Sequence, residues 1–146
     1  MFFEQLIRVG YGALDKKSCL EEMAEVLHNA GVVTQPKEFV KAVFEREAIM
    51  STGIGRGIAI PHARSSSVSS LAVAVFVLAH DLDYEAIDDL PVRVICMIAV
   101  PEAMKSEYMK VLSAISQFFR DADNRAAVLD ASSERELYAI LQRITI

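Results

Sequence analysis

Two apolar runs restrict this chain more than anything else in it. LAVAVFVLA covers Leu71 to Ala79, and VRVICMIAV covers Val92 to Val100. Both are rich in β-branched residues, both have the length of a strand, and neither alternates polar with apolar positions. A strand with one wet face alternates; a strand without alternation is covered on both faces. Helices must therefore lie on both sides of the sheet. The longest run is about half of what spans a bilayer, so no membrane insertion is expected.

The flanking segments supply those helices. In SCLEEMAEVLHNAG, Leu20, Met23, Ala24 and Leu27 keep an i, i+3, i+4, i+7 stripe. Ser18 and Glu21 have capping-box spacing, and Gly31 is a natural stop. A second helix is expected from Pro36 to about Glu47, with Phe39, Val40, Val43 and Phe44 inward. After the strands, SEYMKVLSAISQFFRD places Met109, Leu112, Ile115, Ser116 and Phe119 on one face, with Tyr108 one position before it. NRAAVLDA is a short helix or turn. SERELYAILQRI has a second capping box, Ser133 with Glu136, and inward Leu137, Ile140 and Leu141. GIAI is a short strand, and the N-terminal segment is a further strand candidate. The expected fold is α/β, a three-layer α/β/α domain with a central mixed sheet. With 146 residues and no repeat or linker, residues 1–146 are expected to form one domain.

Composition narrows the function. The net charge of −5 and the absence of a Lys/Arg stripe argue against a nucleic-acid partner. Cys19 and Cys96 sit in apolar contexts far apart in sequence, as buried free thiols of a reducing compartment do. The opening MFFEQLIRVG has no basic segment followed by a long apolar core, so a cytoplasmic location is expected. His28, His62 and His80 have no ligand-spaced partners, so no metal is expected. Nor does any motif imply a cofactor. His28 sits where a histidine meets a helix dipole, and His80 opens a polar stretch as a solvated turn residue.

The stretch STGIGRGIAIPHARSSSV, Ser51 to Val68, is the candidate for chemistry. It is not a P-loop, which needs a lysine and a following helix, and its G-x-G-x-G spacing is not the dinucleotide fingerprint. Glycines let the backbone turn sharply and leave N–H groups uncovered. Thr52, Gly53, Gly55 and Gly57 are thus candidates for a phosphate loop. A neutral imidazole accepts a phosphoryl group readily, and Arg46 would supply a bidentate fork for its oxygens. From the residues alone, His62 reads equally as a structural loop histidine, and Arg46 as a solvated helix-end arginine.

EREAIMSTGIGRGIAIPHAR resembles the signature of enzyme IIA domains of the fructose–mannitol class. These belong to the bacterial phosphoenolpyruvate-dependent sugar phosphotransferase system and include the nitrogen-regulatory proteins. DYEAIDDLPVRVICMIAVP is similar to the family's middle segment, where an aspartate precedes a Pro-Val strand. YMKVLSAISQFFRD resembles the helix after the last strand. The resemblance covers nearly the whole chain and implies an α/β/α fold with a mixed sheet. It implies that His62 accepts a phosphoryl group from the histidine-containing phosphocarrier protein, and that Arg46 is the signature arginine. The phosphoryl group then passes to a cysteine of a IIB domain, or serves as a regulatory state read by a protein target. Ile54, Ile58 and Ala63 are expected to form an apolar docking surface with an acidic rim.

One position departs from the pattern. The family's second histidine, at the start of the helix after the last strand, is replaced by Tyr108. Tyrosine donates a hydrogen bond but carries no positive charge. Tyr108 either faces the His62 site or packs at a helix start. Ala63 replaces a frequent glycine. Two functional readings follow: a phosphocarrier serving sugar uptake, and a nitrogen-type module whose interactions depend on phosphorylation. The sugar is not legible, because a IIA domain does not touch it in this family.

Overall fold

In the computed structural model, which describes residues 1–146, the chain opens with β1 (Phe2–Tyr11), α1 (Lys16–Asn29) and α2 (Pro36–Ile49). Five strands follow: β2 (Gly53–Gly55), β3 (Ile58–Ala59), β4 (His62–Ser65), β5 (Ala72–Leu82) and β6 (Val92–Pro101). The last third is α3 (Lys105–Arg120), α4 (Ala122–Asp130) and α5 (Glu134–Leu141). The two apolar runs are β5 and β6, an antiparallel pair at the centre of the sheet. β1 joins β5 in parallel. The free edge of β6 is shared by two short parallel strands, β3 opposite Val94–Ile95 and β4 opposite Ile98–Pro101. β2 pairs antiparallel with β3, which completes a mixed six-stranded sheet.

The strands bury both faces, as their composition demands. Ala72, Ala74, Phe76 and Leu78 of β5 face α1 and α2 together with Ile95, Met97 and Ala99 of β6. Val73, Val75 and Val77 face α3, α4 and α5 together with Val94, Cys96, Ile98 and Val100. The result is the expected α/β/α sandwich. Cys19 and Cys96 are buried free thiols on opposite sides of the sheet. Burial pushes the pKa of each up to about 12.

Local details differ from the sequence reading at three points. The cap of α1 is Asp15, whose carboxylate accepts the Ser18 N–H at 2.7 Å, so Ser18 lies inside the first turn rather than before it. An aspartate three residues upstream is an equally good cap, and it wins here. The inward stripe of α3 is Val111, Ile115, Phe118 and Phe119, with Tyr108 and Leu112 half-buried beside it. Tyr108 thus begins the stripe, and Met109 is 53% exposed. His80 is exposed but lies within β5, which continues past the apolar run to Leu82. Ser133 caps α5 as expected, through the Glu136 N–H at 3.1 Å. The Glu136 carboxylate turns instead to Ser132.

Candidate functional site

His62 is mounted by the sheet. It is the first residue of β4 and sits opposite Ile98 in parallel register. Pro61 has no N–H to offer, but its carbonyl accepts the Ile98 N–H at 2.9 Å. That bond anchors the backbone immediately before the histidine. Strand alternation buries Ala63 and turns His62 and Arg64 to the opposite face. His62 Nδ1 lies 2.9 Å from the Ile60 carbonyl oxygen. A neutral ring that donates from Nδ1 keeps its lone pair on Nε2. Burial holds the imidazole pKa below its ordinary 6.5. The hydrogen bond to Ile60 opposes that depression, the Arg46 charge adds to it, and the Glu47 charge opposes it again.

A cavity of about 350 Å³ opens beside the ring. The end of α2 lines it with Ala42, Glu45, Arg46 and Ile49, β4 with His62, Ala63 and Arg64, and α3 with Tyr108. Arg46, in the last turn of α2, donates to the Met50 carbonyl at 2.7 Å and so ties off its own helix. The Tyr108 and His62 rings lie 6.0 Å apart, centroid to centroid. The structure therefore brings Arg46, His62, Ala63 and Tyr108 to one place.

The glycine segment stands apart. Ile58 is opposite Val94 and His62 is opposite Ile98, four positions further along β6. At roughly 3.3 Å per residue that is about 13 Å. Gly53, Gly55 and Gly57 build the β2–β3 hairpin, and its tip, with Gly55 at φ 96° and Gly57 at φ 82°, requires the left-handed backbone. Two of the segment's N–H groups have partners of their own: Gly53 donates to Ser51 Oγ at 3.1 Å and Arg56 to Asp88 at 3.0 Å. Gly53 is also fixed by crowding, since a Cβ there would come within 2.6 Å of Ala86 Cβ. The glycines shape the segment that leads to His62, and the tip of their hairpin lies further along β6 from the histidine.

Thr52 belongs to a buried polar network that the sequence did not reveal. Its hydroxyl contacts the Glu47 carboxylate and lies 2.9 Å from the Tyr84 hydroxyl, which donates to Glu47 at 3.0 Å. Lys16 Nζ meets Glu47 at 2.8 Å and the Tyr84 carbonyl at 3.2 Å, and lies 4.1 Å from the Tyr84 ring centroid. The network joins the start of α1, the end of α2 and the loop after β5. It thereby fixes the helix turn that carries Arg46.

The expected docking residues fare unevenly. Ile58 is 2% exposed and Ala63 6%, so neither offers surface to a partner; β3 is covered on both faces, and alternation along β4 turns Ala63 inward. Ile54 is exposed, but lines a separate cavity with Arg56, Ser116, Phe119 and Arg120. Two arginines, not acids, flank it. The exposed apolar group by His62 is Ile49 (81%), in the cavity wall, with the exposed Met50 (59%) following it in sequence; Met109, after Tyr108, lines a separate cavity with Lys110, Ser113 and Ile146. A helix that ends on consecutive exposed Ile and Met was the available signal in EREAIM.

A histidine mounted on an α/β/α sheet, in one cavity with an arginine, is the feature of this fold to be placed among known proteins. The chain matches the family described as phosphoenolpyruvate-dependent sugar phosphotransferase system, EIIA 2, over residues 1–144, and belongs to it. It is 36% identical over 131 residues to the nitrogen regulatory protein of Pseudomonas aeruginosa, covering 86% of this chain and 82% of that one. It is 32% identical over 140 residues to the fructose-specific EIIA component of Haloferax volcanii, covering 96% and 91%. Similarity to the fructose-specific EIIABC component of Bacillus subtilis is 33% over 94% of this chain, which spans 22% of that larger protein. The crystal structure of nitrogen regulatory protein IIA-Ntr from Neisseria meningitidis superposes with a TM-score of 0.89 at 29% identity, covering 96% and 95%.

Proposed function

We propose that this chain is a cytoplasmic phosphocarrier whose acceptor atom is His62 Nε2. The observation that carries the reading is the hydrogen bond from Nδ1 to Ile60, which orients the ring and leaves the Nε2 lone pair beside Arg46. A phosphohistidine of the histidine-containing phosphocarrier protein is the donor. Its N–P bond breaks with the electron pair returning to the donor imidazole, while the Nε2–P bond forms. Nδ1 keeps its proton on Ile60, so no base is needed. Arg46 offers N–H donors to the equatorial oxygens, which is what phosphoryl transfer asks of a protein. No metal or cofactor takes part. A IIB cysteine or a regulatory protein target receives the group or reads it.

Ile49, exposed in the cavity wall, and Met50 after it offer the apolar surface on which such a partner docks. Intact-mass analysis after incubation with phosphoenolpyruvate, enzyme I and the phosphocarrier protein tests the reading. One acid-labile phosphoryl group is expected, absent in His62→Ala and retained in His28→Ala and His80→Ala. Labelling that survives His62→Ala refutes the assignment.

A second reading, a nitrogen-type regulatory module, is favoured by Tyr108. A neutral phenol beside the acceptor suits a slowly exchanging state better than rapid flux. Transfer from the phosphorylated chain to a fructose-type IIB domain separates the two: fast transfer supports sugar uptake, and its absence supports regulation.

A further inference from the structure

We propose that Arg64 is a second phosphoryl-binding residue of the His62 site, an assignment that rests on His62 being the acceptor. Alternation along β4 puts His62 and Arg64 on one face, two residues apart, with Ala63 buried between them. Both line the same cavity as Arg46 and Tyr108. Arg46 is partly engaged, with one guanidinium nitrogen committed to the Met50 carbonyl. Arg64 is exposed and makes no hydrogen bond or ion pair, even though Glu45 lines the same cavity; the single salt bridge of the chain is Lys16–Glu47. Tyr108 contributes a hydroxyl but no charge.

The two arginines approach from different elements, one on a helix end and one on a strand. The Arg46 charge acts on the empty imidazole. A phosphoryl group on Nε2 extends into the space between them. Its dianion would then meet a guanidinium on each side, the arrangement that binds tetrahedral anions best. Arg64 thus has its partner in the phosphoryl group of the loaded site.

The test uses phosphoprotein made in two ways, through the phosphocarrier chain and chemically with phosphoramidate, with peptide mapping of the labelled histidine. The phosphorus resonance of the protein is titrated to obtain the second ionisation of the phosphoryl group. Arg64→Gln is expected to raise that pKa by about half a unit to one unit, because a nearby cation favours the dianion. Arg64→Lys is expected to recover most of the shift, and Arg135→Gln, on α5, to leave it unmoved. The Arg64→Gln effect should shrink as salt rises. A pKa unchanged in Arg64→Gln overturns the proposal, as does label found only on His28 or His80. Failure of the carrier route while phosphoramidate still labels His62 overturns the donor assignment alone, and the titration still decides Arg64.

Discussion

The rings of His62 and Tyr108 lie 6.0 Å apart with their planes inclined at 32°. The phenol comes from the first turn of α3 and the imidazole from the edge of the sheet, 46 residues earlier in sequence. If His62 carries the phosphoryl group as proposed, Tyr108 is the neighbouring ring that can offer it a hydrogen bond. Tyr108→Phe should shorten the life of the phosphorylated protein about threefold, the loss of one hydrogen bond of modest strength. Tyr108→His should lengthen it or speed transfer. Hydrolysis followed by intact mass decides; equal lifetimes in all three proteins would reduce Tyr108 to packing.

Arg46→Lys keeps the charge but loses the planar fork. Transfer from the phosphocarrier protein should slow by roughly ten- to a hundredfold, the size of a lost transition-state contact. The circular dichroism spectrum should be unchanged. A rate equal to that of the parent would make Arg46 a helix-end charge only.

The depressed pKa of His62 gives a pH signature. As pH falls below about 6.5 the unfolded chain takes up a proton before the folded one does. The contribution of His62 to stability is therefore whole above that pH and is lost as pH falls towards the folded value. His62→Gln removes this dependence, so the urea midpoint of the parent should fall relative to the variant between pH 7 and pH 5. The imidazole resonance should titrate below 6.5, and Arg46→Gln should move it upward.

Glu47→Gln leaves Lys16 largely buried without a counter-charge, since the side chains are 4% and 22% exposed respectively. Unfolding in urea should show a loss of about 3 kcal/mol, the lower end for a broken buried pair, because Lys16 keeps some water. Phosphoryl transfer should slow as well, since α2 loses the tie that sets Arg46. A midpoint within 0.5 kcal/mol or so of the parent would mean that the network is not holding the helix.

Ile49→Glu puts a charge on the exposed apolar wall of the His62 cavity. The KM for the phosphocarrier protein should rise about tenfold with little change in kcat, as for loss of docking alone. Ile54→Glu, on the separate cavity, is the control and should leave KM unchanged.

The three layers were legible because β5 and β6 lack alternation, and a strand covered on both sides has few other ways to look. The start of α2 followed from Pro36 and the stripes of α1, α2 and α5 from periodicity, whereas that of α3 was rotated from its expected face. His62 and Arg46 stood out through the whole pattern from Glu45 to Arg64 rather than through any single residue. What escaped was set by distant partners. Glu47 reads as a surface acid until Tyr84, 37 residues later, and Lys16, 31 residues earlier, close on it. The glycine segment suggested a phosphate cradle because its composition permits one. Where its N–H groups point depends on the pairing with β6 and on Asp88, which composition does not encode. Arg64 was hidden by the same cause: its cavity exists only once α2 and α3 arrive from opposite layers.

The strand that begins at His62 hangs on β6, the middle of the sheet, and its neighbours are packed from both layers. Nothing in that mount is hinged. Adding a phosphoryl group changes the local charge by about two units but gives the fold no second arrangement to adopt. The loaded and empty proteins should therefore have the same outline, and a partner that tells them apart must do so by touching the group or feeling its field. Partners that bind far from His62 should be blind to the difference, so the message of this domain is delivered by contact rather than by a change of shape.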